Sequence, residues 1–243
     1  MISRENLAFI SATFIAVVLL FIIGLSRPDW LVEDGLVETM GAMSFAAAAL
    51  LALGAALRKS AVLTLTERSL LVGTSGLSLL LFLSEISFGA RIFDIQMPQM
   101  SGGGEFDGGH DIVMVLFRQV SDGGPSGMLV AAATTGLLLI GAIALLYRFG
   151  QQARAVVRSV LSSAFEFRLA VALGMLASAV ALDLIRSHKA GVLEEILEFS
   201  ASAVLILAVT AVLRHQGGAL RVTSEMRVQA SGARSASPAT HQR

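Results

Sequence analysis

Glu38, Glu85 and Glu198 fall inside or at the edge of long apolar runs. A carboxylate at mid-membrane costs on the order of 3 kcal/mol, and less near the boundary. Side chains carried at such a cost face a bundle interior, pair with a cation or exchange protons. Asp34 and Glu38 are spaced i, i+4, and so are Glu194 and Glu198. Each pair occupies one helix face, where like charges repel unless a cation or a shared proton lies between them. Arg91, His110 and His188 are the nearby groups of other chemistry. Carboxylates with one or two imidazoles suit zinc, manganese or iron, and carboxylates with waters suit calcium or magnesium. A divalent metal ion is therefore the candidate cofactor, with Glu38, Glu85, His110 and Glu198 as candidate ligands. The candidate catalytic set overlaps it: Glu85, His110 and Glu198 for proton transfer, and Arg91 for a phosphate or headgroup. No HExxH, HxH or ExxH spacing is present, so any such site depends on convergence in space. Helix-dipole compensation accounts for Asp34 and Glu194 without a site. It serves poorly for Glu85, at the far end of its helix, and for Glu198, a turn further in.

The elements that would position these groups are membrane helices. The 243-residue chain is 55% hydrophobic and 15% charged, against about 25% charge in a soluble domain. It has no cysteine, which excludes disulfides, thiolate metal sites and cysteine nucleophiles. A spanning helix needs roughly 20 apolar residues, and six stretches qualify: 7–25, 36–57, 69–88, 127–147, 169–185 and 192–213. The expected fold is an all-α polytopic bundle of six transmembrane helices over residues 1–215, followed by a disordered cytoplasmic tail, 216–243. The first stretch reads as a retained helix rather than a signal peptide, being longer than an h-region and followed by a poor cleavage site. Small residues four apart, at Ala48 and Ala52, Ala132 and Gly136, and Gly174 and Ser178, suit close helix packing.

Of the 18 basic residues, Arg27, Arg91, Arg118, Arg186 and Lys189 fall on one side of the spans and the other thirteen on the opposite side. The positive-inside rule places both termini in the cytoplasm. The acids invert this bias: only Glu5, Glu67, Glu166 and Glu225 fall inside. Acids contribute little to topology, so their outward bias invites a functional explanation. The inner loop 148–168 has Arg and Gln on one side and Val, Leu and Phe on the other. It suits an interfacial helix or a cytoplasmic extension of the fourth span. The outer loop 89–126 is long enough to be functional, and its glycines beside Glu105, Asp107, His110 and Asp111 suit wrapping a ligand.

At 1.5 Å per residue, Glu38 lies about 3 Å below the outer boundary, Glu85 about 6 Å and Glu198 about 9 Å. Asp34-Gly-Leu-Val-Glu38 and Glu194-Glu-Ile-Leu-Glu198 form a faint repeat, each opening an outside-to-inside helix. Asp183 and Arg186 pair most simply with each other.

The stretch Ser84-Glu85-Ile86-Ser87-Phe88-Gly89-Ala90-Arg91-Ile92-Phe93, then Pro98, then Gly104 to Asp111, resembles bacterial multi-span membrane proteins that carry Glu-Glu-Ile-Ser-Trp-Gly-Gln-Arg-Ile-Phe, a Pro and an outer Asn- and His-containing segment. The resemblance picks out Glu85, Ser87, Gly89, Arg91 and His110. Ser84, Phe88 and Ala90 depart from it. It implies a site without naming its reaction.

Three functions fit. The first is a membrane-embedded enzyme acting on a lipid or lipid-linked substrate. The second is an accessory or structural subunit of a membrane complex, and the third a small ion-coupled transporter. Membrane lipid is the expected partner, with a membrane-protein partner or a second copy as further possibilities and no nucleic acid. The expected location is a bacterial inner membrane.

Overall fold

A computed structural model describes residues 2–27, 30, 35–58, 63–87, 124, 126, 129, 133, 137, 140, 150–183, 185 and 187–235, the side chains of 150–155, 215 and 217–235 excepted. The described residues are helical, with short turns and no strand among them. The helices are α1 (Arg4–Ser26), α2 (Leu36–Leu57), α3 (Leu65–Glu85), α4 (Gly150–Ser162), α5 (Ala164–Asp183) and α6 (His188–Ser235). Four segments are long and apolar enough to cross a membrane: α1, α2, α5 and the His188–Arg214 part of α6. They match the first, second, fifth and sixth predicted spans. The third forms as α3, 21 residues long, but Thr74, Ser75, Ser78 and Ser84 make it more polar than those four. Within the fourth, Leu129, Ala133, Leu137 and Ile140 are helical and exposed along one face; its other residues lie outside those described.

Local chemistry sets the boundaries. Thr64 and Glu67 form a capping box, with Thr64 N donating to Glu67 Oε2 at 2.8 Å and Glu67 N to Thr64 Oγ1 at 3.2 Å. That box starts α3 ahead of its apolar run. Ser3 Oγ caps α1 by accepting from Asn6 N at 3.0 Å, and Ser163 Oγ accepts from Glu166 N at the start of α5. At the other end, α6 runs on as helix to Ser235, through most of the segment expected to be disordered. Ala219, Leu220, Arg221, Met226, Arg227 and Ala230 are good helix formers, and extending an existing helix avoids the cost of nucleation.

α6 is the central helix, packed between α5 and α2. α3 covers α2, and α1 lies against α6 and α5. Two clusters fill the core. One joins Ala52, Ala55 and Ala56 of α2 to Leu71, Phe165, Ala208, Val209 and Val212. The other joins Phe45 and Ala48 to Ala172, Met175, Ala201, Val204 and Leu205. Ala48 and Ala52 are fully buried, as close packing through small residues requires. Gly174 and Ser178 face outward instead, because α5 packs through Ala172, Met175 and Ala179 on its other side. Ala132 and Gly136 lie outside the described residues.

The ends of the bundle differ in charge. Arg58 and Arg68 meet at one end, where Arg68 Nη2 donates to the Arg58 carbonyl. Arg4, Arg158, Arg168 and Arg214 belong to that basic end. Arg168 Nη2 reaches Glu5 Oε1 at 2.9 Å and Nη1 the Leu207 carbonyl at 2.9 Å. Its guanidinium lies 5.0 Å from the centre of the Phe9 ring, and Phe9 meets Phe167 edge to face. Asn6, fully buried, donates from Nδ2 to the Leu161 carbonyl at 3.0 Å. These contacts hold α1 at its first turns, while most of its remaining length is exposed. The opposite, acidic end carries Glu38, Glu85, Asp183, Glu194, Glu195 and Glu198.

Candidate functional site

The burial pattern of each helix determines where these acids sit. α2 buries Gly41, Ala42, Phe45, Ala48, Ala49 and Ala52, and Glu38 continues that stripe one turn beyond Gly41 and Ala42. α3 buries Leu71, Thr74 and Ser78. Leu81 and Phe82 pack against the cluster around Phe45, and Glu85 is the next position of the same stripe. On α6, Ala201, Ser202, Leu205 and Val209 are buried, and Glu198 and Glu194 extend that stripe toward the acidic end. Glu38, Glu85 and Glu198 are half-buried. Each has a polar or electrostatic contact.

Their heights follow from the core contacts. Ser75 Oγ of α3 donates to the Ala49 carbonyl of α2 at 2.9 Å. α3 runs toward the acidic end and α2 away from it, so Glu85 and Glu38 both stand about 15–17 Å above that bond at 1.5 Å per residue. α2 and α6 run parallel, with Phe45 and Ala48 level with Ala201, Val204 and Leu205. The same register places Glu38 level with Glu194, and Glu198 about 6 Å further in. The repeat pairing of Glu38 with Glu198 is therefore one turn out of step with the packing. α5 runs antiparallel to α6 and reaches this height at Asp183. Asp183, Glu195 and Glu198 all act electrostatically on Glu194.

The rim thus draws carboxylates from α2, α3, α5 and α6. Asp183 and Glu194 join Glu38 and Glu85 at one height, a convergence that reading Glu194 as helix-dipole compensation leaves out. The signal was the connection of four residues between α5 and α6, which obliges the end of one helix to stand beside the start of the next. Arg186 lies outside the described residues, as do Asp34, Arg91 and His110. His188 opens α6 and is exposed.

Hydroxyls lie below the rim. Ser78 and Ser200 are buried, and neither Oγ has a hydrogen-bond partner among the described residues. Ser87, two residues beyond Glu85, is buried with φ 49°, and its Oγ has no hydrogen-bond partner among the described residues. A left-handed backbone at a non-glycine residue costs of order 1 kcal/mol or more. Deeper still, the layer of Ala52, Ala55, Leu71, Phe165, Ala208 and Val212 is apolar.

Among the described residues, no three His, Asp or Glu side chains gather closely enough to hold a metal ion. Glu38, Glu85 and Glu198 by themselves are not a metal site, and a set that includes His110 extends beyond the described residues. Comparison with protein-family models, curated proteins and solved structures gives no match.

Proposed function

We propose that this chain is a multi-pass protein of a bacterial inner membrane, with both termini in the cytoplasm and an outward-facing site at its acidic end. The site is that of a membrane-embedded enzyme acting on a lipid or lipid-linked substrate. One observation carries the reading: Glu38, Glu85 and Glu198 continue the buried stripes of three helices that share one core cluster. A carboxylate held in a partly dry recess at the boundary is suited to proton transfer. Glu85 is the proposed acid or base, with Glu198 one turn deeper as its counterpart. Arg91 and His110 follow Glu85 in the chain; Arg91 is proposed to hold the substrate headgroup and His110 to share in proton transfer.

The accessory-subunit reading draws on α1, which leaves most of its length exposed for lipid or another helix. The test is turnover. The purified protein, reconstituted with a total bacterial lipid extract, is expected to change the lipid profile by mass spectrometry. Glu85→Gln should reduce that change by about 100-fold or more while the protein stays folded. A profile untouched by the parent protein, together with loss of a co-purifying membrane protein on Glu85→Gln, would favour the subunit.

A further inference from the structure

The loop helix α4 has two faces of unequal character. Its described apolar positions are Val156, Val157, Val160 and Leu161, and Arg158 stands on the polar side. In a water-soluble fold such an apolar face would be covered by the protein. Here Val160 and Leu161 are half-buried, whereas Val156 is 61% and Val157 56% exposed. The position of α4 is fixed by its last turns. Asn6 Nδ2 holds the Leu161 carbonyl at 3.0 Å, and Ser159 Oγ donates to Glu166 Oε2 at 2.8 Å. Both bonds tie α4 to the first turns of α1 and α5, where those apolar helices leave the membrane. The valines are thus presented about one turn from the starts of α1 and α5, at the end of the bundle that gathers Arg58, Arg68, Arg158, Arg168 and Arg214.

We propose that α4 lies on the membrane surface at the basic end, with Val156 and Val157 inserted among acyl chains and Arg158 set against anionic lipid headgroups. Three features select an anionic bilayer as the occupant: open valines, an exposed arginine one residue on, and a basic end. This is the arrangement of a surface-bound amphipathic helix. The proposal is independent of the acidic site.

The absence of cysteine makes the test direct. Val157→Cys in the full chain takes one environment-sensitive fluorophore, and Ser162→Cys on the polar side serves as reference. The protein is placed in vesicles of phosphatidylcholine alone or mixed with phosphatidylglycerol, each with acyl-brominated lipid as quencher. The label at position 157 is expected to be quenched at least twofold more than that at 162, and more strongly in the mixed vesicles. Arg158→Glu should remove the dependence on phosphatidylglycerol. Water-like, unquenched emission at 157 would overturn the proposal, because α4 would then project into solution. Equal quenching in both lipids would overturn the choice of anionic headgroups. Protection from quencher with self-quenching that grows with protein density would overturn it in favour of a second copy.

Discussion

Ser75 Oγ of α3 donates to the backbone carbonyl of Ala49 in α2 at 2.9 Å, 26 residues away in the chain. This bond sets the relative height of the two antiparallel helices and therefore brings Glu85 level with Glu38. Ser75→Ala should cost about 0.6 kcal/mol, the average for interhelical hydrogen bonds in membrane helices. It should also loosen the α2–α3 register. Thermal unfolding in lipid nanodiscs measures the first effect, and spin-label distances between positions 38 and 85 measure the second.

Arg168 is expected to contribute more than its ion pair alone. Its side chain is 12% exposed while that of Glu5 is 69% exposed. The exposed pair itself is worth roughly 0–1 kcal/mol, so Glu5→Gln should be nearly silent. Arg168→Ala also removes the bond to the Leu207 carbonyl and the stacking on Phe9, and should cost about 2–3 kcal/mol. Equal effects of the two substitutions in thermal unfolding would contradict this partition.

Close approach of α2 to α6 depends on alanine. Ala52 is fully buried, whereas Leu50 is 72% exposed. Ala52→Leu should destabilise by about 1–3 kcal/mol through overpacking. Leu50→Ala, on the outward face, should change stability by no more than about 0.5 kcal/mol. Chemical denaturation of the two variants in mixed micelles tests the contrast.

Asp183 and Glu194 bring like charges together where α5 turns into α6. Asp183→Asn removes one of them and should stabilise the bundle at alkaline pH, where both carboxyls are ionised, by a few tenths to about 1 kcal/mol. A loss of stability measured at the same alkaline pH would contradict this, showing a favourable partner of Asp183 that outweighs the repulsion.

Much of the helical frame was legible because a membrane span announces itself by length. α2 lies at Leu36–Leu57 as read from the sequence, since charges or turn residues bound its apolar block on both sides. α3 and α5 begin earlier than their apolar runs, because hydrogen-bonded caps at Thr64 and Ser163 recruit polar residues into the helix. The cost of charge in a membrane made Glu38, Glu85 and Glu198 visible. Asp183 was not, for its place beside Glu194 depends on which helices pack together. Likewise, no spacing rule distinguishes Ser78, whose hydroxyl is buried without a partner among the described residues, from Ser178, which faces outward and bonds its own helix.

The central claim is that the glutamates at the acidic end face a common recess rather than lipid. Single spin labels at positions 38, 85 and 198, with Met43 and Leu50 as outward references, test it through collision with oxygen and with a water-soluble nickel complex. The labels at 38, 85 and 198 should be shielded from oxygen relative to Met43 and Leu50 and more open to the nickel complex. Oxygen accessibility at 85 and 198 equal to that at Leu50 would place both side chains against acyl chains and contradict the account.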